Sequence, residues 1–136
     1  MIPMIPINAR KQSEWFSVQQ CNNNPKTLYV FGDNTFRKGK GGQAQIRDCK
    51  NSFGICTKWA PSNDDGAFFT DTINCLEIVE RDIFNLIKYY QESDYDNMVF
   101  PEDGLGSGLS DMPNKCHLLY RRMNYLIKKH FGIDYK

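Results

Sequence analysis

No stretch of the chain approaches the roughly 18 consecutive apolar residues of a membrane-spanning helix, and the opening MIPMIPINARKQSEWF has no continuous apolar segment of the kind that marks a secretory leader. Charge of one sign is also missing. The 17 Lys and Arg nearly balance the 16 Asp and Glu, for a net charge of +1, so no global field draws nucleic acid or an anionic membrane, and any anion must be held locally. Histidine is scarce: His117 and His130 both fall near the C-terminus, outside metal-ligand spacing, and receive no role. The five cysteines, Cys21, Cys49, Cys56, Cys75 and Cys116, are odd in number and include no C-x-x-C pair, which argues against both a disulfide framework and a zinc site. There is no internal repeat, no low-complexity tract and no Walker sequence Gly-x-x-x-x-Gly-Lys-Ser/Thr. These absences lead us to expect a soluble, monomeric, cytoplasmic protein without metal or cofactor; for a viral gene the compartment would be the host cytoplasm.

What is present suits one domain. A chain of 136 residues buries roughly two-thirds of its unfolded surface on folding and needs no staples. Residues 1–26, with two Ile-Pro pairs and an Asn-Asn-Asn-Pro turn, read as an irregular lead-in with a short helix around Ser13 to Gln20, from which Trp15 and Phe16 pack onto the domain. The core spans 27–130. Thr27-Leu-Tyr-Val-Phe31 is β-branched and aromatic and stops at Gly32-Asp33-Asn34, the pattern of a buried strand entering a loop. Gly42 to Asp48 fits a short helix, Gly54 to Lys58 a second strand, and Met98 to Phe100 a third, cut by Pro101.

Two longer helices complete the pattern. Ile73, Leu76, Val79, Ile83, Leu86, Ile87 and Tyr90 follow helical spacing, with Thr70 or Asp71 as the N-cap. A closing helix runs from Asp111 or Pro113 to His130, with Met112, Cys116, Leu119, Met123, Leu126 and Ile127 on one face. Arg121-Arg122 and Lys128-Lys129 read as its solvated face and its dipole-favoured end. Strands alternating with helices predict an α/β fold: three layers, α/β/α, around a mostly parallel sheet.

Ligands of such sheets bind where strands end at their carboxyl edge, and three motifs sit there. Gly32-Asp-Asn-Thr-Phe-Arg-Lys-Gly-Lys-Gly-Gly-Gln-Ala44 joins a strand to a helix, with Gly39, Gly41 and Gly42 clearing side chains from the path of a phosphate. Phe100-Pro-Glu-Asp-Gly-Leu-Gly-Ser-Gly-Leu109 repeats that placement after another strand. Either loop alone also fits turn chemistry; two on separate strands favour phosphate binding. The third motif is Thr57-Lys58. On spacing alone Lys58 is either a solvated lysine or a cation touching a ligand hydroxyl or phosphate. Tyr89, Tyr90, Phe68 and Phe69 read as core, with Phe68 or Phe69 open to a base-stacking role.

In the order of these features the chain resembles the macrodomain superfamily of ADP-ribose-binding modules. Val99-Phe-Pro101 followed by Gly104 and Gly106 is similar to its diphosphate loop, and Gly32 to Ala44 to its first, triple-glycine loop. Ile55-Cys-Thr-Lys58 and Gly106-Ser-Gly-Leu109 resemble the branch that removes ADP-ribose from acidic side chains or DNA bases. The resemblance implies Lys58 as catalytic lysine, Asn34 orienting the distal ribose, and Asp111 or Asp103 as the acid, since Ser110 stands where the branch places aspartate. It implies ligand contacts from Asp33, which would read adenine, from Gly39, Gly41, Gly42, Gln43, Ala44 and Thr57, and from Asp103, Gly104, Leu105, Gly106, Ser107, Gly108 and Leu109. The expected partner is ADP-ribose, or DNA or protein carrying it. Two functions follow: an ADP-ribosyl hydrolase, or a non-catalytic reader that holds ADP-ribose or a related nucleotide. A third option is an interaction domain with incidental glycines.

Overall fold

In the computed structural model, which describes residues 4–135, the apolar run at Thr27 extends into strand β2 (Thr27–Asn34), an interior strand of an all-parallel sheet. The other strands are β1 (Ala9–Gln12), β3 (Ser52–Lys58) and β4 (Asn97–Pro101), in the order β1-β4-β2-β3, so β2 lies between β4 and β3. The chain is therefore α/β. Alternation along the two interior strands sorts the core into two faces. Leu28, Val30, Met98 and Phe100 meet Cys75, Val79, Ile83, Leu86 and Tyr90 of α2 (Ile73–Glu92), and Leu119, Met123 and Ile127 of α4 (His117–Phe131). On the opposite face Tyr29, Phe31 and Val99 meet Phe16, Cys21 of α1 (Val18–Asn23), and Ala44 and Ile46 of a 3₁₀ turn at Gly42–Ile46. No helix among the described residues is long and apolar enough to cross a membrane.

The structure departs from the sequence reading in several places. The lead-in is not irregular: Ala9–Gln12 pairs in parallel with β4 as an edge strand, and the short helix begins at Val18, where Ser17 Oγ accepts the Gln20 N–H at 3.0 Å. The Ile2-Pro3 pair lies outside the described residues. Phe16 is fully buried as expected, but Trp15 is 66% exposed. The segment at Gly42 forms a 3₁₀ turn instead of an α-helix.

The remaining two differences concern helix ends. Thr72, not Thr70 or Asp71, caps α2 by accepting the Cys75 N–H; Asp71 instead accepts the Leu119 N–H of α4 at 2.8 Å, so one residue ties the start of one helix to its neighbour. The closing helix is interrupted at Cys116 (φ −156°, ψ 65°), leaving the short α3 (Met112–Lys115) ahead of α4.

A buried ion-pair network holds the end of β2. Asp33 Oδ1 pairs with Arg47 at 2.7 Å and Oδ2 with Arg37 at 3.2 Å, while Arg37 Nη2 reaches both oxygens of Asp82 on α2 at 3.0 and 3.1 Å. Asp82 Oδ2 also accepts the Cys56 N–H of β3, and Arg37 Nη1 donates to the Gly54 carbonyl, both at 2.7 Å. Arg37 itself takes a left-handed φ of 55°, a conformation unfavourable for a branched-out side chain unless its contacts enforce it. Gly54 leaves room for this arrangement, since a Cβ there would stand 2.4 Å from Asp33 Oδ2.

Gly54→Ala is therefore expected to push Asp33 off its arginines and lower the unfolding free energy by on the order of 3 kcal/mol. Gly41→Ala, where an added Cβ meets nothing within 4 Å, is expected to stay within about 0.5 kcal/mol of wild type. Urea denaturation of both variants checks the pair.

Candidate functional site

Strands β2 and β4 are neighbours whose outgoing chains separate to opposite faces: β2 leads to the 3₁₀ turn beneath α1, and β4 leads to α3 and α4 on the other side. Such a divergence leaves a crevice at the carboxyl edge. A cavity of about 710 Å³ fills it, and the carboxyl ends of all four strands contribute: Ser13 and Trp15 after β1, Gly32 in β2, Thr57 in β3, and Pro101 with the loop that follows β4.

The loop after β4 is fixed by packing. Gly106 takes φ +77°, and a Cβ there would lie 2.2 Å from Met112 Sδ and 3.3 Å from Thr57 Cβ. Its carbonyl accepts the Met112 N–H at 2.9 Å. Thr57 Oγ1 donates to the Asp33 carbonyl at 3.3 Å and shares a 2.7 Å hydrogen bond with Ser110 Oγ. Between these anchors, the N–H groups of Gly106, Ser107, Gly108, Leu109 and Ser110 have no acceptor among the described residues. Consecutive free backbone donors around a concavity are what an anion needs.

The sequence-derived ligand contacts divide cleanly. Gly41, Gly42, Gln43, Ala44 and Thr57 line the cavity from one side, and Asp103, Gly104, Gly106, Ser107, Gly108 and Leu109 from the other. Asp33, Gly39 and Leu105 do not line it. Asp33 is committed to Arg37 and Arg47, the Gly39 carbonyl accepts from Arg47 Nε at 2.8 Å, and Leu105 is core. Residues missed by the sequence reading are Trp15, Ser13, Glu102 and Ser110. Trp15 carried the one usable signal, a large aromatic in an otherwise polar segment. Phe68 and Phe69 do not line the cavity; Phe69 is buried against Trp59, and the Phe68 ring lies beneath the ammonium groups of Lys58 and Lys115 at 4.8 and 4.7 Å.

Lys58, Asn34 and Asp111 stand outside the cavity lining. Asn34 spans its own turn, donating to the Lys38 carbonyl at 2.8 Å and accepting the Phe36 N–H at 3.1 Å. Asp111, at φ 46°, accepts from Asn114 Nδ2 at 2.7 Å. Lys58 is only 6% exposed. Its Nζ donates at 3.4 Å to Asn63 Oδ1 and at 3.4 Å to the Leu109 carbonyl, just behind the cavity wall. No carboxylate among the described residues lies within ion-pair distance of it, and burial lowers its pKa. Burial pushes the thiols of Cys56 and Cys116 up to about 12, which removes them as thiolate nucleophiles. Among the described residues no group of three His, Cys, Asp or Glu side chains gathers as metal ligands would.

A family model described as "Family of unknown function (DUF7831)" matches residues 11–126. The chain belongs to this family. No curated protein and no solved structure matches the chain. The DUF7831 span runs from β1 into α4, so it takes in both glycine loops, Trp15 and Lys58.

Because its folded pKa lies below the unfolded value of about 10.4, Lys58 binds fewer protons folded than unfolded between the two, and stability rises with pH across that window. Relative to Lys58→Met, wild type is expected to gain stability from pH 7 to pH 10.5. Urea denaturation of both proteins across that range checks it, and a pH-independent difference contradicts the assignment.

Proposed function

We propose that the chain binds ADP-ribose in the cavity between the two glycine loops, with the diphosphate on the backbone donors of Gly106 to Ser110. The observation that carries this reading is that run of unpartnered N–H groups on the wall of a cavity of about 710 Å³. The size is that of a small-molecule site, for which roughly 300–1,000 Å³ is usual. The likeness to macrodomain loops at Gly32–Ala44 and Val99–Leu109 supports the choice of nucleotide.

A second reading, removal of ADP-ribose from DNA bases or acidic side chains, draws on one observation. Lys58 holds a buried ammonium without a carboxylate partner among the described residues, with lowered pKa, against the carbonyl of a residue on the cavity wall, and perturbed groups of that kind concentrate at functional sites. Catalysis by Lys58 requires the Leu109–Ser110 segment to move aside, whereas binding requires no rearrangement.

Calorimetric titration of the full chain with ADP-ribose is expected to give saturable one-to-one binding; a flat trace sinks the proposal. Gly108→Val places its Cβ in open space, since nothing lies within 4 Å of a Cβ added there, and its two methyls take up room beside the donor run. It is expected to abolish binding while leaving the melting temperature within a few degrees of wild type. For the second reading, release of ADP-ribose from modified DNA or protein by wild type, lost in Lys58→Ala with ADP-ribose affinity retained, is the required outcome.

A further inference from the structure

Trp15 is 66% exposed although its neighbour Phe16 is fully buried, edge-to-face on Tyr29 at 5.2 Å. A large indole left in water is unfavourable unless something covers it. Its backbone is held on both sides. The Phe16 N–H donates to Gln43 Oε1 at 2.8 Å, and Gln12 Nε2 donates to the Glu14 carbonyl at 2.9 Å. The indole rests on the first glycine loop, where a Cβ on Gly42 would stand 3.3 Å from Cζ3 and 3.8 Å from Cη2 of its six-membered ring. Gly42, at φ +59°, thus lets the six-membered ring approach the loop with no side chain between them, and the ring still lines the cavity. Leu109, 72% exposed, is a second large apolar side chain on the same cavity.

We infer that Trp15 is the stacking platform for a nucleobase, so that the cleft selects ligands with a planar aromatic ring over ribose phosphates that lack one. The inference rests on the nucleotide-binding reading and deepens it, and it comes from a residue upstream of every segment that carries the macrodomain likeness. The ring stacks on the indole while the phosphates run toward the Gly106–Ser110 donors. This division of labour explains why the cavity needs both an apolar wall and a wall of free N–H groups. Stacking also suits a site that Asp33 does not reach as a base-edge reader, because its carboxylate is spent on arginines.

The test uses the full chain with Trp59→Phe, which leaves Trp15 as the sole tryptophan; Trp59 packs on Phe69 away from the cavity lining. Its emission is titrated with adenosine, ADP-ribose and ribose 5-phosphate. Saturable quenching by adenosine and ADP-ribose but not by ribose 5-phosphate is expected. Calorimetry should show Trp15→Ala weakening ADP-ribose on the order of tenfold, with Trp15→Phe recovering most of the loss. No quenching by adenosine, or equal ADP-ribose affinity in wild type and Trp15→Ala, overturns the role of Trp15 while leaving diphosphate binding intact. Equal affinity for adenosine and ADP-ribose has the opposite meaning: it supports the platform and defeats the diphosphate reading. Quenching of Trp15 only by a protein partner would also overturn it.

Discussion

The carboxylate of Asp33, closed between Arg37 and Arg47 at the end of an interior strand, is the constraint on which the rest of the site depends. A charge that deep is costly unless its lone pairs are filled, and here the Asn34 N–H and two arginines fill them. Arg47 reaches back from beyond the 3₁₀ turn and donates to the Gly39 and Lys38 carbonyls on the way. Arg37 reaches across to Asp82 on α2 and to Gly54 on β3. The first glycine loop is thereby fixed at its start, middle and end, and its position sets the wall from Gly41 to Ala44. Gly54 is glycine for the same reason, and so is the tolerance of a left-handed Arg37.

The two loops are held by different physics. Charge and hydrogen bonds immobilise the first, whereas the second is seated by close packing of Gly106 over Met112 and Thr57. Thr57 is the meeting point, with its hydroxyl on the Asp33 carbonyl and on Ser110 Oγ. Ser110 is thus a strut between β3 and the second loop. A displacement of either loop is transmitted to the other through this one side chain, which suits a site whose donors must already point at the ligand before it arrives.

How far the sequence reveals this varies with the range of the interactions. The apolar runs of β2 and β4, the 3.6-residue stripe of α2 and the glycine punctuation are local patterns, and they locate both loops and most of the cavity wall. β1 has no such signature. Ala9-Arg-Lys-Gln12 is an edge strand with both charged residues exposed, so its pairing with β4 has no local cause, and with it went the position of Trp15. Asp71 is likewise committed to a partner far along the chain, the Leu119 N–H, and Asp33 to Arg37 and Arg47, the first of which is itself held by Asp82 on α2. The sequence pattern puts Lys58 at the end of β3, but the direction of its side chain depends on Leu109 and Phe68, which only the folded chain brings near.

The electrostatics of the cavity give that lysine a different kind of influence. Among the described residues no Lys or Arg lines the cavity, while Glu102 and Asp103 do, so an anion there would be held by peptide dipoles, which do not titrate and need no side chain to be ordered. Lys58 Nζ lies 3.4 Å from the Leu109 carbonyl oxygen, and the same peptide unit presents the free Ser110 N–H. A cation on the carbonyl side polarises the peptide and strengthens the donor on the other side, an effect that grows where water is excluded. The positive charge therefore reaches the cleft through one peptide bond without entering it. That arrangement would reconcile a buried ammonium that has no carboxylate partner among the described residues with the anion site proposed for the glycine cleft, because moving the lysine into the cavity would fill the space that the glycines keep open.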